Sequence, residues 1–139
     1  MYNTDKKTLI KLVKQEAKNI KENATPREIK KLNIEWLDPA DVEQCIYGQM
    51  TGSCYSKRAN KLIVKCATKV YKAIGSQPLE DVELNGKPKL VLDRSEEYHS
   101  PIEIFIYHHG YEKGSIDREG NIKRLINYLK GVTKTLSLK

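Results

Sequence analysis

From Thr4 to Glu22 apolar residues return every three or four positions, at Leu9, Ile10, Leu12, Val13, Ala17 and Ile20. At about 100° per residue they form one broad face, and Lys7, Lys11, Lys14, Lys18 and Lys21 fall within an arc of about 80° opposite it, which predicts an amphipathic helix with a cationic outer face. The next segment opens Thr25-Pro26-Arg27-Glu28. It sets a cap residue, a proline where a helical N–H has no partner to lose, and an acid able to reach back to the cap, so a short helix is expected to about Leu32. Ile34, Trp36 and Leu37 follow as apolar anchors. Asp38-Pro39-Ala40-Asp41 repeats the pattern and predicts a helix that carries Val42, Cys45 and Ile46 and stops near Gly48. Gln49 to Tyr55 reads as a compact loop. Ser56 then caps the longest predicted helix, Lys57 to Ile74, with Ala59, Leu62, Ile63, Cys66, Ala67, Val70 and Ile74 inward and Gly75 closing it.

Beyond Gly75 the texture changes. Val82-Glu83-Leu84 and Leu90-Val91-Leu92 flank Asn85-Gly86, a dipeptide suited to a tight hairpin turn, with Pro88 placing the second strand at a sheet edge. Ser100-Pro101-Ile102-Glu103 is a third cap-proline-acid signature and predicts a helix to about His108, although Ile102, Ile104 and Ile106 also alternate as in a strand. A polar loop spans Tyr111 to Gly120. Asn121 to Lys130 predicts a helix with Ile122, Leu125, Ile126 and Leu129 inward and Gly131 after it, and Val132 to Leu138 reads as a strand able to join the hairpin. The expected fold is therefore α+β: a single domain over residues 1–139, about five helices around a small antiparallel sheet.

Charge divides this domain. Residues 1–75 hold 15 Lys and Arg against 8 Asp and Glu, whereas residues 76–139 hold 10 of each, so the whole net charge of +7 lies in the helical first half. From Gln44 to Leu79 there are six basic residues, Lys57, Arg58, Lys61, Lys65, Lys69 and Lys72, and no acid. Such a stretch cannot neutralise itself locally and attracts polyanions. Lysine outnumbers arginine 20 to 5, which favours contact with phosphates over the bidentate reading of base edges. No apolar run is long enough to cross a bilayer, no secretory leader is expected, and three cysteines without framework spacing suit a reducing cytoplasm.

Candidate chemistry is sparse. Thr51, Gly52, Ser53 and Ser56 bring glycine and hydroxyls to a helix start beside Lys57 and Arg58, an arrangement able to hold a phosphate but without the spacing of a nucleotide-binding loop. Cys54 lies in the same loop, and a nucleophilic role would need His99, His108 or His109 as its base. Cys45, Cys54, His108 and His109 have no metal-site spacing, so neither a metal nor a cofactor is expected, and Asp93 to Glu97 reads as a polar loop or helix start. The leading expectation is a small, basic, cytoplasmic, non-enzymatic protein that binds nucleic acid or a nucleoprotein. Its contacts would be Lys57, Arg58, Lys61, Lys65, Lys69, Lys72 and Tyr55, assisted by Lys7, Lys11, Lys14 and Lys18. The alternative is a protein-interaction module such as a phage- or mobile-element-encoded inhibitor of a host defence nucleoprotein. A third reading is a phosphate or nucleotide binder, or an enzyme, at the Thr51 to Arg58 loop. No membrane partner is expected.

Overall fold

The cap signatures at Thr25, Ser56 and Ser100 mark the starts of three of the six α-helices among the described residues. In the computed structural model, which describes residues 6–68, 70, 100–112, 115–117 and 120–139, helix α1 runs Lys6–Asn23 and α2 runs Pro26–Lys30. Thr25 forms the full capping box of α2: its hydroxyl accepts from Glu28 N, and Glu28 Oε1 accepts from Thr25 N at 2.9 Å. Helix α3 spans Ile46–Thr51 and α4 spans Lys57–Ile63, capped by Ser56. Helix α5 spans Pro101–His109 and α6 spans Asn121–Leu129.

The Asp38-Pro39 signature does not start a helix. Asp38 Oδ1 accepts from Ala40 N at 2.9 Å and Asp41 Oδ1 from Glu43 N at 2.8 Å. These short side chains bond to their own downstream backbone and hold residues 38–44 in turns. Helix α3 begins about two helical turns later, with the Cys45 sulfur as its cap, so Gly48 lies inside a helix instead of ending one. After Ile63 the chain departs from a straight α-helix: Val64–Thr68 is a π-helical turn. Asn19 Nδ2 of α1 donates to the Cys66 carbonyl at 3.1 Å there, an insertion of the kind that disturbs the regular ladder.

The α+β expectation is overturned. Among the described residues the fold is helical, and extended pairing is confined to a two-residue antiparallel ribbon, Tyr111–Glu112 with Ser115–Ile116. The small antiparallel sheet is thus not found, and residues 132–139 do not form a strand. Asn121 instead takes both backbone groups of Lys139 (Nδ2 to O at 3.1 Å, N to Oδ1 at 2.9 Å), and Arg124 Nε donates to the Ser137 carbonyl at 2.7 Å. Side chains of α6 thereby satisfy the tail in place of a neighbouring strand. The hairpin expected near 82–92 lies outside the described residues. The 101–108 segment resolves as helix: Ser100 caps it through Glu103 N, and residues 101–106 are all buried, so its alternating isoleucines do not define one buried face.

The core is one cluster that joins α1, α3, α4, the π turn, α5 and α6, with Tyr47 and Phe105 among its largest buried side chains. Inside it lies Glu16, completely buried. Tyr47 Oη donates to Glu16 Oε2 at 2.5 Å, and Ile102 N, in the first turn of α5, donates to Oε1 at 2.8 Å. Burial dominates and pushes the Glu16 carboxyl up to about 7, against the opposing pull of the Tyr47, Ile102 and Ser100 hydrogen bonds.

Candidate nucleic-acid interface

The lysines on the outer face of α1, Lys7, Lys11, Lys14, Lys18 and Lys21, are exposed, as are Lys57, Lys61 and Lys65 on α4 and the π turn. Lys69 and Lys72, like the acidic Asp93 to Glu97 segment, lie outside the described residues. Arg58 is occupied within the fold. Its Nε donates to Glu28 Oε2 at 2.7 Å, one Nη donates to Glu28 Oε1 at 2.8 Å, and the same nitrogen reaches the Asn23 carbonyl at 3.1 Å. This fork ties the start of α4 to α2 and to the end of α1, and it holds the Glu28 carboxyl down at about 2. Tyr55 is half exposed on the loop before α4.

The residues read as an anion loop terminate one helix and start the next. Thr51 is the last residue of α3, and its hydroxyl donates to the Tyr47 carbonyl at 2.7 Å, with the Ser53 carbonyl at 3.0 Å. Gly52 closes α3 at a φ of 101°, a left-handed value that favours glycine. Ser53 Oγ accepts from Tyr55 N, and Ser56 Oγ accepts from Ala59 N and donates to Thr51 Oγ1. Cys54 and the other two cysteines are buried. Desolvation pushes the Cys45 thiol far up and the Cys66 thiol up to about 12, the opposite of nucleophile activation. His108 and His109 pack against Tyr107 and Phe105 rings, with centroids 5.0 Å and 5.4 Å apart. Among the described residues, no group of three or more His, Cys, Asp or Glu is placed to hold a metal ion, and no helix is long and apolar enough to cross a membrane.

Two grooves gather lysines that are distant in sequence. One, of about 400 Å³, lies between the outer face of α1 and the tail after α6, and is lined by Lys11, Lys14, Gln15, Lys18, Tyr128, Lys134, Thr135 and Leu136. Lys21 Nζ sits 4.2 Å from the centroid of the Tyr128 ring, adding a fifth cation at that wall. The other, of about 640 Å³, runs between the end of α2 and α6, and is lined by Lys30, Lys31, Leu32, Asn33, Ile34, Lys123, Ile126, Asn127 and Lys130. The two grooves take opposite flanks of α6: at about 100° per residue, Lys123, Asn127 and Lys130 stand on one side of its buried stripe and Tyr128 on the other. No carboxylate is among the lining residues of either groove.

Lys11, Lys14 and Lys18 were legible as candidates from the α1 stripe. Lys30, Lys31, Lys123, Lys130, Lys134 and Tyr128 were not, because the second half balances its charges along the chain and the asymmetry arises only when α6 packs beside α1 and α2. The signal was present locally: Lys123 and Lys130 are a helical 3-4-7 set with Ile126 and Asn127. No family model, curated protein or solved structure matches the chain.

Proposed function

We propose that the chain is a small, non-enzymatic, cytoplasmic polyanion-binding protein whose ligand is a nucleic acid, held by the two lysine-lined grooves that flank α6. The observation that carries this reading is that each groove is lined by four lysines and by no carboxylate. Lysine lining matches phosphates as point charges, without the planar fork that reads guanine. Binding of this kind is backbone-directed and releases counterions. The principal contacts are therefore Lys11, Lys14, Lys18 and Lys134 on one side and Lys30, Lys31, Lys123 and Lys130 on the other, with the α4 lysines peripheral and Arg58 structural.

The test is charge reversal by groove. The variants K14E/K18E/K134E and K30E/K123E/K130E, each with an unchanged melting temperature, are compared with K57E/K61E/K65E for binding to fluorescently labelled single-stranded and duplex oligonucleotides at low salt. Each groove variant is expected to weaken binding about tenfold or more, and the α4 variant by much less. Equal losses in all three variants, or a loss confined to the α4 variant, would overturn the assignment to the grooves. Absence of any oligonucleotide binding by the unaltered protein would overturn the reading itself and direct attention to an acidic protein partner.

A further inference from the structure

Trp36, the chain's single tryptophan, is 65% exposed, although its neighbours Leu32 and Leu37 are buried. Its position is nevertheless built. The Gln49 side chain of α3 takes both backbone groups of Asn33, accepting from N at 2.9 Å and donating to O at 3.0 Å. Asn33 Oδ1 accepts from Glu35 N at 2.9 Å, and Trp36 N donates to the Asn33 carbonyl at 3.3 Å. The indole therefore projects from a turn that is closed by its own bonds and anchored to α3 at Asn33. It borders a cleft of about 560 Å³ whose other walls include Lys31, Asn33, Gln44, Gln49 and Glu43. Lys31 and Asn33 also line the lysine groove beside α6, so the aromatic cleft opens at the end of that groove.

An apolar aromatic face continuous with a cationic track is the arrangement that binds single-stranded nucleic acid, in which bases leave the duplex stack and lie on aromatic rings while phosphates follow the lysines. A duplex presents phosphates but no free base face. We infer that Trp36 is a base-stacking platform at the end of the Lys30–Lys31–Lys123–Lys130 groove, and that the ligand is therefore single-stranded nucleic acid. This rests on the polyanion reading above. The cleft's volume is in the range of pockets that enclose a small ligand, so it has room for a nucleotide. The Gln49 amide is engaged by the Asn33 backbone and by Gln44, and Asn33 Oδ1 by Glu35 N, so the cleft offers a base few fixed polar contacts, consistent with a stacking contact that tolerates sequence.

Trp36 emission reports the contact directly. The protein is titrated at low salt with an oligo-dT, with an abasic oligonucleotide of the same length and with a duplex, and the dT and abasic affinities of the unaltered protein, W36A and W36F are measured by the anisotropy of fluorescently labelled strands, because the variants carry no tryptophan. The expected result is quenching of Trp36 by oligo-dT but not by the abasic strand or the duplex. W36A should bind oligo-dT about tenfold more weakly while binding the abasic strand as before, and W36F should recover most of the loss. If W36A and the unaltered protein bind oligo-dT alike, or emission responds equally to all three ligands, the stacking platform is overturned and the lysine-groove reading stands. If none of the three ligands binds, both are overturned.

Discussion

Replacing Glu16 with glutamine perturbs the centre of the core at one atom and removes one titration. In the fold the Glu16 carboxyl is pushed up to about 7, whereas its ordinary value is 4.5. Between those values the folded chain holds a proton that the unfolded chain has released, so stability falls as pH rises through that window. The interval of about 2.5 pH units corresponds to about 3 kcal/mol lost between pH 4.5 and pH 7, at about 1.36 kcal/mol per unit. The charges facing the site do not cancel this effect. Tyr47 from α3 and the first turn of α5, through Ile102 N and Ser100, give hydrogen bonds, and among the described residues no cation bonds to Glu16. Glutamine reproduces the protonated state: its oxygen accepts from Ile102 N and its NH₂ faces the Tyr47 oxygen. Urea denaturation from pH 5 to pH 8 should show the unaltered protein losing about 2–3 kcal/mol more than E16Q, with the two curves converging toward pH 5. Because every other group is common to both proteins, their difference isolates Glu16. Parallel pH–stability curves would refute the reasoning and mean that the carboxylate is solvated or neutralised by a nearby cation.

Two further perturbations act on the frame. R58A should cost about 2 kcal/mol in urea denaturation at pH 7, and R58K should recover less than half, since lysine cannot supply the two-pronged contact to Glu28. Because the Glu28 carboxyl is held at about 2, below its ordinary 4.5, that stabilisation is complete above pH 4.5 and fades as pH falls toward 2; R58A should lack this acid dependence. G48A should lower the melting temperature in a scan by an amount equivalent to about 1–3 kcal/mol, because a Cβ at Gly48 would collide with the Val42 carbonyl oxygen and meet backbone of Glu43 at 2.9 Å. A G48A melting temperature equal to that of the unaltered protein would show that the 42–43 turn yields freely.

What the sequence revealed depended on how local the determining interaction is. The box at Thr25 and the caps at Ser100 and Ser56 act within one turn, and the helices they announce are present. At Asp38 equally local bonds, to Ala40 N and Glu43 N, stabilise turns that the same residue pattern does not separate from a cap. The tail shows the opposite dependence: Val132, Leu136 and Leu138 resemble a strand, but Asn121 and Arg124, many residues earlier, take its backbone groups. Glu16 was detectable in principle. It falls between Leu12 and Leu9 on the buried stripe that continues through Ile20 and Val13, where a charged residue has no exposed position to occupy. The lysine grooves were half legible, since α1 carries its stripe openly, while their other walls required the packing of α6 between α1 and the end of α2.

The most direct measurement of the central claim is the salt dependence of binding between the unaltered protein and a single-stranded oligonucleotide. The lysine-groove account predicts a linear fall of log K with log salt concentration, at about −0.7 per phosphate neutralised, and a shallower line, by roughly 2, for K14E/K18E/K134E. A slope near zero, or a slope unchanged in that variant, would contradict it.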